Sequence, residues 1–290
     1  MNKIGFVTVL YNSESVLDGF FKSLSNQKNQ DYIVYMIDNS YSIESENHIN
    51  KIIDAYNLKS KIRHIINKTN VGVASANNQG INLAIKDNCD YILIGNNDVE
   101  FNQMNLFDAL IEKCKTHKIV APKVLYHNTN KIWYSGGYID KYRALSIHVN
   151  EFKENNVNEK ESFTEYAPTC FVLFHKDVFQ SVGLMDEKYF VYWDDTDFMI
   201  RARKKGFKIL YLPSFQIEHK VSISTGGRTS LFSTYYFLRN RLYFIKKHFK
   251  GISLVSSLVY TYCTSLIKII IYDLKRKKII IKAIKDSYKM

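Results

Sequence analysis

Proline is nearly absent from this chain: three residues in 290, beside only 12 glycines. That excludes a collagen-like or low-complexity protein. Cysteine is also scarce. Cys89, Cys114, Cys170 and Cys263 are scattered, with no CxxC pair and no zinc-finger spacing. Neither a disulfide framework nor a structural zinc site is expected, and reduced thiols of a cytosolic protein fit the pattern. No Gly-x-Gly-x-x-Gly follows the first apolar run, and no Gly-x-x-x-x-Gly-Lys-Ser/Thr occurs anywhere. Both omissions count against a dinucleotide fingerprint and a P-loop. The opening segment MNKIGFVTVLYNSES turns polar too early for a signal peptide and reads as a buried first strand.

Acid is scarce at one end only. From Arg239 onward there are 13 Lys/Arg against two Asp, a net +11; the preceding 238 residues carry 27 Lys/Arg against 26 Asp/Glu, a net +1. A basic tail seeks an anionic surface, either nucleic acid or phospholipid. Within the tail, Ser253, Ser256, Ser257, Thr261, Thr264, Ser265 and Lys268 recur at helical spacing. Leu254, Leu258, Tyr262, Leu266, Ile269 and Ile270 fill the opposite face. The polar interruptions weigh against a spanning helix, which needs about 20 mostly apolar residues. Lys275-Arg276-Lys277-Lys278 and Ile279 to Ile281 follow. Together these predict an element lying on an anionic membrane surface. The alternative is a helix packed on the body or on a second subunit of a homodimer.

What is plentiful is apolar sequence, 46% of the chain, enough for a real core. Residues 3–10, 32–38, 61–66 and 91–95 are short apolar runs ending in polar loops. Residues 15–24, 73–86 and 103–115 carry helical patterns, the first with Ser13 or Asn12 as its cap. Strands alternating with helices predict an α/β, mostly parallel, doubly wound sheet. Ligands of such sheets bind at the carboxyl ends of the strands. The residues just past those ends are Tyr11-Asn12, Asp38-Asn39-Ser40, Asn67 to Asn70 and Asn96-Asn97-Asp98. Further strands are expected at 118–126, 133–139, 170–175 and 207–212, and helices at 177–182 and 194–205. The polar stretch 150–163 is expected to be mobile.

Three carboxylates, Asp194, Asp195 and Asp197, crowd into four positions beside Tyr192 and Trp193. Carboxylates this close repel one another. Two readings stay open on these residues alone. The positive end of a helix would tolerate the charges. An acid cluster walled by aromatics would also hold a general base.

Six segments in order now carry a resemblance: TVLYNSE (8–14), IDNS (37–40), NVGVASANNQGI (70–81), ILIGNNDVEF (92–101), the stretch from Ala167 to Lys208, and YYFLRNRLYFIKKH (235–248). In this the chain resembles the inverting, GT-A-fold family 2 glycosyltransferases, and within them the bacterial rhamnosyltransferase-like branch. The resemblance covers about residues 3–250. It implies a Rossmann-like GT-A fold, with helices on both faces of the sheet, plus a basic amphipathic helical C-terminal tail. It implies a catalytic domain over 1–225, with a nucleotide-binding half to about 100 and an acceptor-binding half beyond, and a helical extension over 226–290.

By the same resemblance Asp38 contacts the pyrimidine of the donor; an Asx-turn is the competing reading. Tyr11, Asn12, Asn70, Gly72, Asn77 and Asn97 line the nucleotide, with Gly72 allowing close backbone approach. Asn96-Asn97-Asp98 stands where the family has its divalent-metal motif, with Asn replacing the first acid. Asp98, Asn96 and the late His219 are the implied ligands of Mn²⁺ or Mg²⁺, the imidazole favouring Mn²⁺. Asp195 aligns with the catalytic base, Asp194 and Asp197 would raise or orient it, and Trp193 offers a face for a sugar ring. Gly136-Gly137 matches a turn near the donor sugar. The expected reaction moves a hexose or deoxyhexose from a dTDP- or UDP-sugar to a saccharide acceptor carried on a lipid. The product would belong to a bacterial surface polysaccharide such as capsule or O-antigen, made at the cytoplasmic face of the membrane.

Rival readings fare worse. A nucleotidyltransferase making NDP-sugars would carry a glycine-rich, basic first loop, which TVLYNSES lacks. A nucleic-acid-binding protein would spread basic residues over the body, whereas here they sit in the tail among Ile, Leu and Val. A degenerate, non-catalytic relative would not be expected to retain Asp98, Asp195 and His219.

Overall fold

The computed structural model describes residues 2–40, 42–156, 159–221 and 230–290. The apolar runs become β1 (Ile4–Leu10), β2 (Tyr32–Asp38), β3 (Ile62–Ile66) and β4 (Tyr91–Gly95). The intervening patterns become α1 (Leu17–Ser25), α2 (Ile43–Ala55) and α3 (Val73–Lys86). There follow β5 (Val99–Glu100), α4 (Leu106–His117), β6 (Ile119–Tyr126), β7 (Ile132–Tyr134), β8 (Gly137–Asp140), β9 (Leu145–His148) and β10 (Ser162–Thr164). Next come β11 (Phe171–His175), α5 (Lys176–Val182), α6 (Asp194–Lys204) and β12 (Ile209–His219). The chain ends in α7 (Leu231–His248), α8 (Gly251–Ile271) and α9 (Leu274–Asp286).

The large sheet runs β10-β12-β6-β11-β4-β1-β2-β3, with β5 on β12 and β7 on β6. β3, β2, β1 and β4 are parallel. β11 is antiparallel to both β4 and β6, and β12 is parallel to β6. Leu10 pairs with Asp38 and Asp38 with Ile66, so the polar residues beyond them meet at one rim. The inner strands are mostly apolar because both faces are covered. β4 is buried along its whole length. α3 packs on β1 and β2. Gly80 makes this possible, since a Cβ there would lie 2.4 Å from Val7.

Three expectations are corrected. The segment 150–163 is tied down on the described residues either side of 157–158. Glu159 pairs with Lys123 at 2.8 Å, both nearly enclosed, and Tyr211 donates to Glu159. Ser13 does not cap the first helix, because its hydroxyl accepts instead from Asn97. In α8 the polar interruptions carry less weight than expected, and the apolar face is outward as a membrane-lying element requires. Ser257, Thr261 and Ser265 face inward, while Val255, Val259, Leu266 and Ile270 are 55–68% exposed. Each small hydroxyl bonds a carbonyl of its own helix, which removes the cost of burying it. With these bonds made, the polar interruptions weigh little against crossing. Among the described residues α8 is the one helix long and apolar enough to span a membrane by length and composition. The expected domain boundary at 225/226 lies outside the described residues.

Candidate active site

The strand-end clusters meet as the register requires. The Asn12 amide donates to Ser40 Oγ, Asn67 Nδ2 to Asn39 Oδ1, and Asn39 Nδ2 to the Gly72 carbonyl. Asp38 is buried. Its Oδ1 accepts from the Ser40 amide at 2.9 Å, forming the Asx-turn, and its Oδ2 lies 3.1 Å from His64 Nε2. Burial would raise this carboxyl, but His64 and the Ser40 amide hold it below the usual range. Asp38 is therefore an anion in a prepared setting. Tyr11 is exposed beside it.

Beyond β4, Asp98 Oδ1 and His219 Nε2 stand 3.0 Å apart, and Asn96 Nδ2 is 3.2 Å from the same nitrogen. The antiparallel pairing of Val99 with His219 brings them together. Asp98 Oδ1 and His219 Nδ1 are buried without a well-aligned hydrogen bond. The Asp98–His219 pair is thus close in distance but wrong in angle. A divalent cation held by Asp98 Oδ1 and His219 Nε2 would use lone pairs that already converge, so the residues fit one. Burial pushes Asp98 up, but the neighbouring His219 outweighs it and holds the carboxyl below its usual range. Among the described residues no group of three His, Cys, Asp or Glu could hold a metal. A cation here would depend on diphosphate oxygens, as hard-cation sites often do.

The acid triplet opens α6, where the helix dipole favours it. Its members part company. Asp194 is buried; burial first, then the Asp195 charge, pushes it up to about 8. Asp195 remains partly exposed. Its Oδ2 accepts from the Tyr166 hydroxyl at 2.6 Å, and its Oδ1 from the Thr196 amide at 2.6 Å. Burial raises its proton affinity and these donors restrain the rise. Asp197 points elsewhere, to Arg201, Lys247 and His248 at 2.7 Å each. Burial opposes its charge, but His248, Lys247 and Arg201 win and hold it well below the usual range.

Metal candidates and acid are joined by stacked and edge-on rings. Trp133 meets His219 with centroids 4.8 Å apart and His148 at 4.6 Å; His148 stacks on Tyr166, which holds Asp195. Cys170 lies between, its thiol pushed up by burial and then by Asp98 and Asp195. The two acidic centres therefore share one rim. A cleft of about 680 Å³ opens on the His219 side, lined by Tyr126, His127, Phe152 and Lys220 among others.

Several expected roles are corrected. Trp193 is 4% exposed, packed with Tyr189, Ile200 and Phe244, and its Nε1 donates to the Phe237 carbonyl. It presents no open face to a sugar, because α7 covers it. Asp197 anchors α7 instead of orienting Asp195. Gly72 does allow close approach, but to Phe190, whose carbonyl would be 2.6 Å from a Cβ. Asn77 is buried against Met185, and Asn97 donates to Ser13. Asn70 makes a local turn by accepting from the Gly72 amide. Gly136 has φ +90°, and a Cβ on Gly137 would lie 2.7 Å from the Ile147 carbonyl. These glycines fold the β8–β9 hairpin back toward the acid helix, where Ser146 meets Thr196 at 2.9 Å. Tyr166, His148 and Trp133 were not expected from the sequence. The one available signal was Trp133, three residues before Gly136.

The glycosyl transferase family 2 model matches residues 6–183, more than half the chain. The chain belongs to glycosyl transferase family 2. This glycosyltransferase is 22% identical over 247 residues to the low-salt glycan biosynthesis hexosyltransferase Agl10 of Haloferax volcanii, covering 83% of this chain and 75% of that one. It is 24% identical over 258 residues to the dTDP-rhamnosyl transferase RfbF of Shigella flexneri, covering 83% and 79%. Among solved structures it is similar to GalNAc-T7 with UDP, GalNAc and Mn²⁺, with a TM-score of 0.62 at 14% identity, covering 91% of this chain and 58% of that one. The likeness to GalNAc-T7 shows the GT-A fold. The glycosyltransferase therefore spans little more than half the length of that structural neighbour.

Proposed function

We propose that the protein is an inverting glycosyltransferase that moves a sugar from a dTDP- or UDP-sugar to a saccharide acceptor carried on a lipid, in surface polysaccharide synthesis. The observation that carries this reading is the shared rim: an anion–imidazole pair fit for a cation, and a partly exposed carboxylate, Asp195, linked by the Trp133–His148–Tyr166 rings. The relatives named for dTDP-rhamnosyl and hexosyl transfer support the donor class. Asp38, held by His64 and Ser40 at the strand-end rim, is assigned to the base, with Asn12 and Asn39 beside it. Asp98 and His219, with Asn96 beside them, would hold Mn²⁺ or Mg²⁺. When bound, such a cation supplies positive charge to the leaving diphosphate.

The protein's own part is proton handling. The acceptor hydroxyl attacks the anomeric carbon in line, its proton passes to Asp195, and the nucleoside diphosphate leaves with the bonding electrons. Asp194 keeps its proton near neutrality, so the pair carries a single negative charge on the exposed member. Tyr166 and Thr196 fix that carboxylate in place.

The tail supports a peripheral position on the inner face of the cell membrane. α8 and α9 expose aliphatic side chains next to a basic block, and the small polar stripe of α8 packs on its own bundle. The decisive experiment is a donor screen reading release of UDP or dTDP, paired with thermal shifts. Saturation at about 100 times the dissociation constant should stabilise by about 2.7 kcal/mol. Asp98→Ala should erase the metal-dependent part. No shift with either nucleotide at saturating Mn²⁺ sinks the reading.

A further inference from the structure

A second cavity, of about 200 Å³, lies where α7, α8 and α9 meet. Arg241, Lys268 and Arg276 line it, together with Ser233, Thr264 and Ser265. Its volume would take on the order of six waters, enough room for a phosphate group. Arg241 is 7% exposed. One of its Nη atoms donates to the Arg143 carbonyl and its plane lies over Tyr260, but Nε has no hydrogen-bond partner. Among the described residues no carboxylate pairs with Arg241 or Lys268; Arg276 has Asp273 at 3.5 Å. Lys268 is itself solvent-exposed, and partial burial and then Arg241 push its ammonium down.

A buried, unpaired guanidinium adds little to stability and costs desolvation. The missing partner is an anion. Beside the cavity, Ile267, Ile270, Ile271 and Leu274 are 56–68% exposed. An anionic head next to an apolar ridge describes an amphiphile. We propose that the α7–α8–α9 cavity binds the phosphate group of a membrane lipid through Arg241, Lys268 and Arg276, with the lipid chain along the α8–α9 ridge. Arginine matches phosphate oxygens in a bidentate fork. The wall also touches the acid loop: Ser233 meets the Tyr192 hydroxyl at 2.9 Å and the Phe237 carbonyl accepts from Trp193. The site's purpose, holding an acceptor by its phosphate, rests on the glycosyltransferase reading; its chemistry does not.

The test is flotation of the full chain with phosphatidylcholine vesicles carrying phosphatidic acid, a polyprenyl phosphate, or phosphatidylserine at matched surface potential. The phosphomonoester vesicles should bind at least about 10-fold more tightly than the phosphatidylserine vesicles, the scale of one charged hydrogen bond. Lys268→Gln with Arg276→Gln should abolish that preference. Lys278→Gln, on the exposed basic block, should weaken all vesicles alike. Arg241→Met should abolish the preference with the melting temperature unchanged or raised, whereas a structural arginine would lower it. A stronger effect of polyprenyl phosphate identifies a saccharide carrier; equal effects identify a phospholipid headgroup. Equal binding at matched charge, or a preference surviving both variants, overturns the proposal. Release of nucleoside diphosphate from donor in detergent should persist in Lys278→Gln, which lies outside the cavity. If the unaltered protein releases none with any donor, the glycosyltransferase reading fails while the lipid result stands.

Discussion

Asp195 and Asp194 differ in what surrounds them, and that difference sets their work. Asp195→Asn should lower transfer by about 10²–10⁴-fold while leaving nucleotide-induced thermal shifts intact. Near-normal turnover would move the base elsewhere. Because the Asp195 carboxyl is raised, its basic form accumulates only as pH climbs, so the acid limb of kcat/KM should lie above the ordinary carboxylate value of about 4. Tyr166 restrains that rise by donating to Oδ2. Tyr166→Phe should therefore move the limb to higher pH. Asp194 has the opposite bearing on stability. The folded chain keeps a proton up to about pH 8 that the unfolded chain releases near 4, so stability falls as pH rises through that window. Asp194→Asn should remove the decline, read as melting temperature against pH. The acid cluster was legible because three carboxylates in four positions are conspicuous. Which member faces solvent was not, since Tyr166, His248 and Lys247 arrive from segments far along the chain.

Among the elements, α6 and α7 are joined by one buried carboxylate. Asp197→Asn should destabilise by about 3–5 kcal/mol, because it removes the anion from Arg201 and the buried His248, while Lys247 keeps Asp186. Asp197 sits below the usual range. Its contribution is therefore complete above the unfolded value of about 4 and is lost as pH falls further. Urea titrations at neutral and acid pH should show the variant and the unaltered chain converging in acid. If the gap stays constant, the latch is not ionic. α3 was readable to the residue because its period is clean and Gly72 begins it. α8 was readable as a helix with an outward apolar face, but the packing of its polar stripe on the bundle was not. A helical period defines two faces, and only tertiary packing decides that Ser257, Thr261 and Ser265 turn inward. Trp193 was misread for the same reason, since its cover comes from α7.

On the scale of the molecule, a nearly neutral body carries a basic, partly apolar tail. Anionic vesicles should be bound in preference to neutral ones, and salt should weaken the preference by shortening the screening length. Val259→Glu or Ile267→Glu on the exposed face of α8 should lower the salt-resistant part without changing the melting temperature, because neither side chain packs on the body. A concentration-dependent dimer with no vesicle binding would make this face a subunit interface. The mostly parallel sheet was legible from its alternating runs. β11, the antiparallel strand between β4 and β6, was legible as a strand but not in its place, because neither pairing is local.

The Asp197 latch has a geometric corollary. α6 carries the acid pair at its first turn, and α7, which it grips, carries the two helices that expose the aliphatic surface. An 11-residue helix spans roughly 16 Å. Held this way, the carboxylate stands at a set height above whatever plane α8 and α9 rest on. On the proposed membrane-bound reading, height would act as a selector: an acceptor would have to lift its terminal hydroxyl to that level, and a glycan already past it would overshoot.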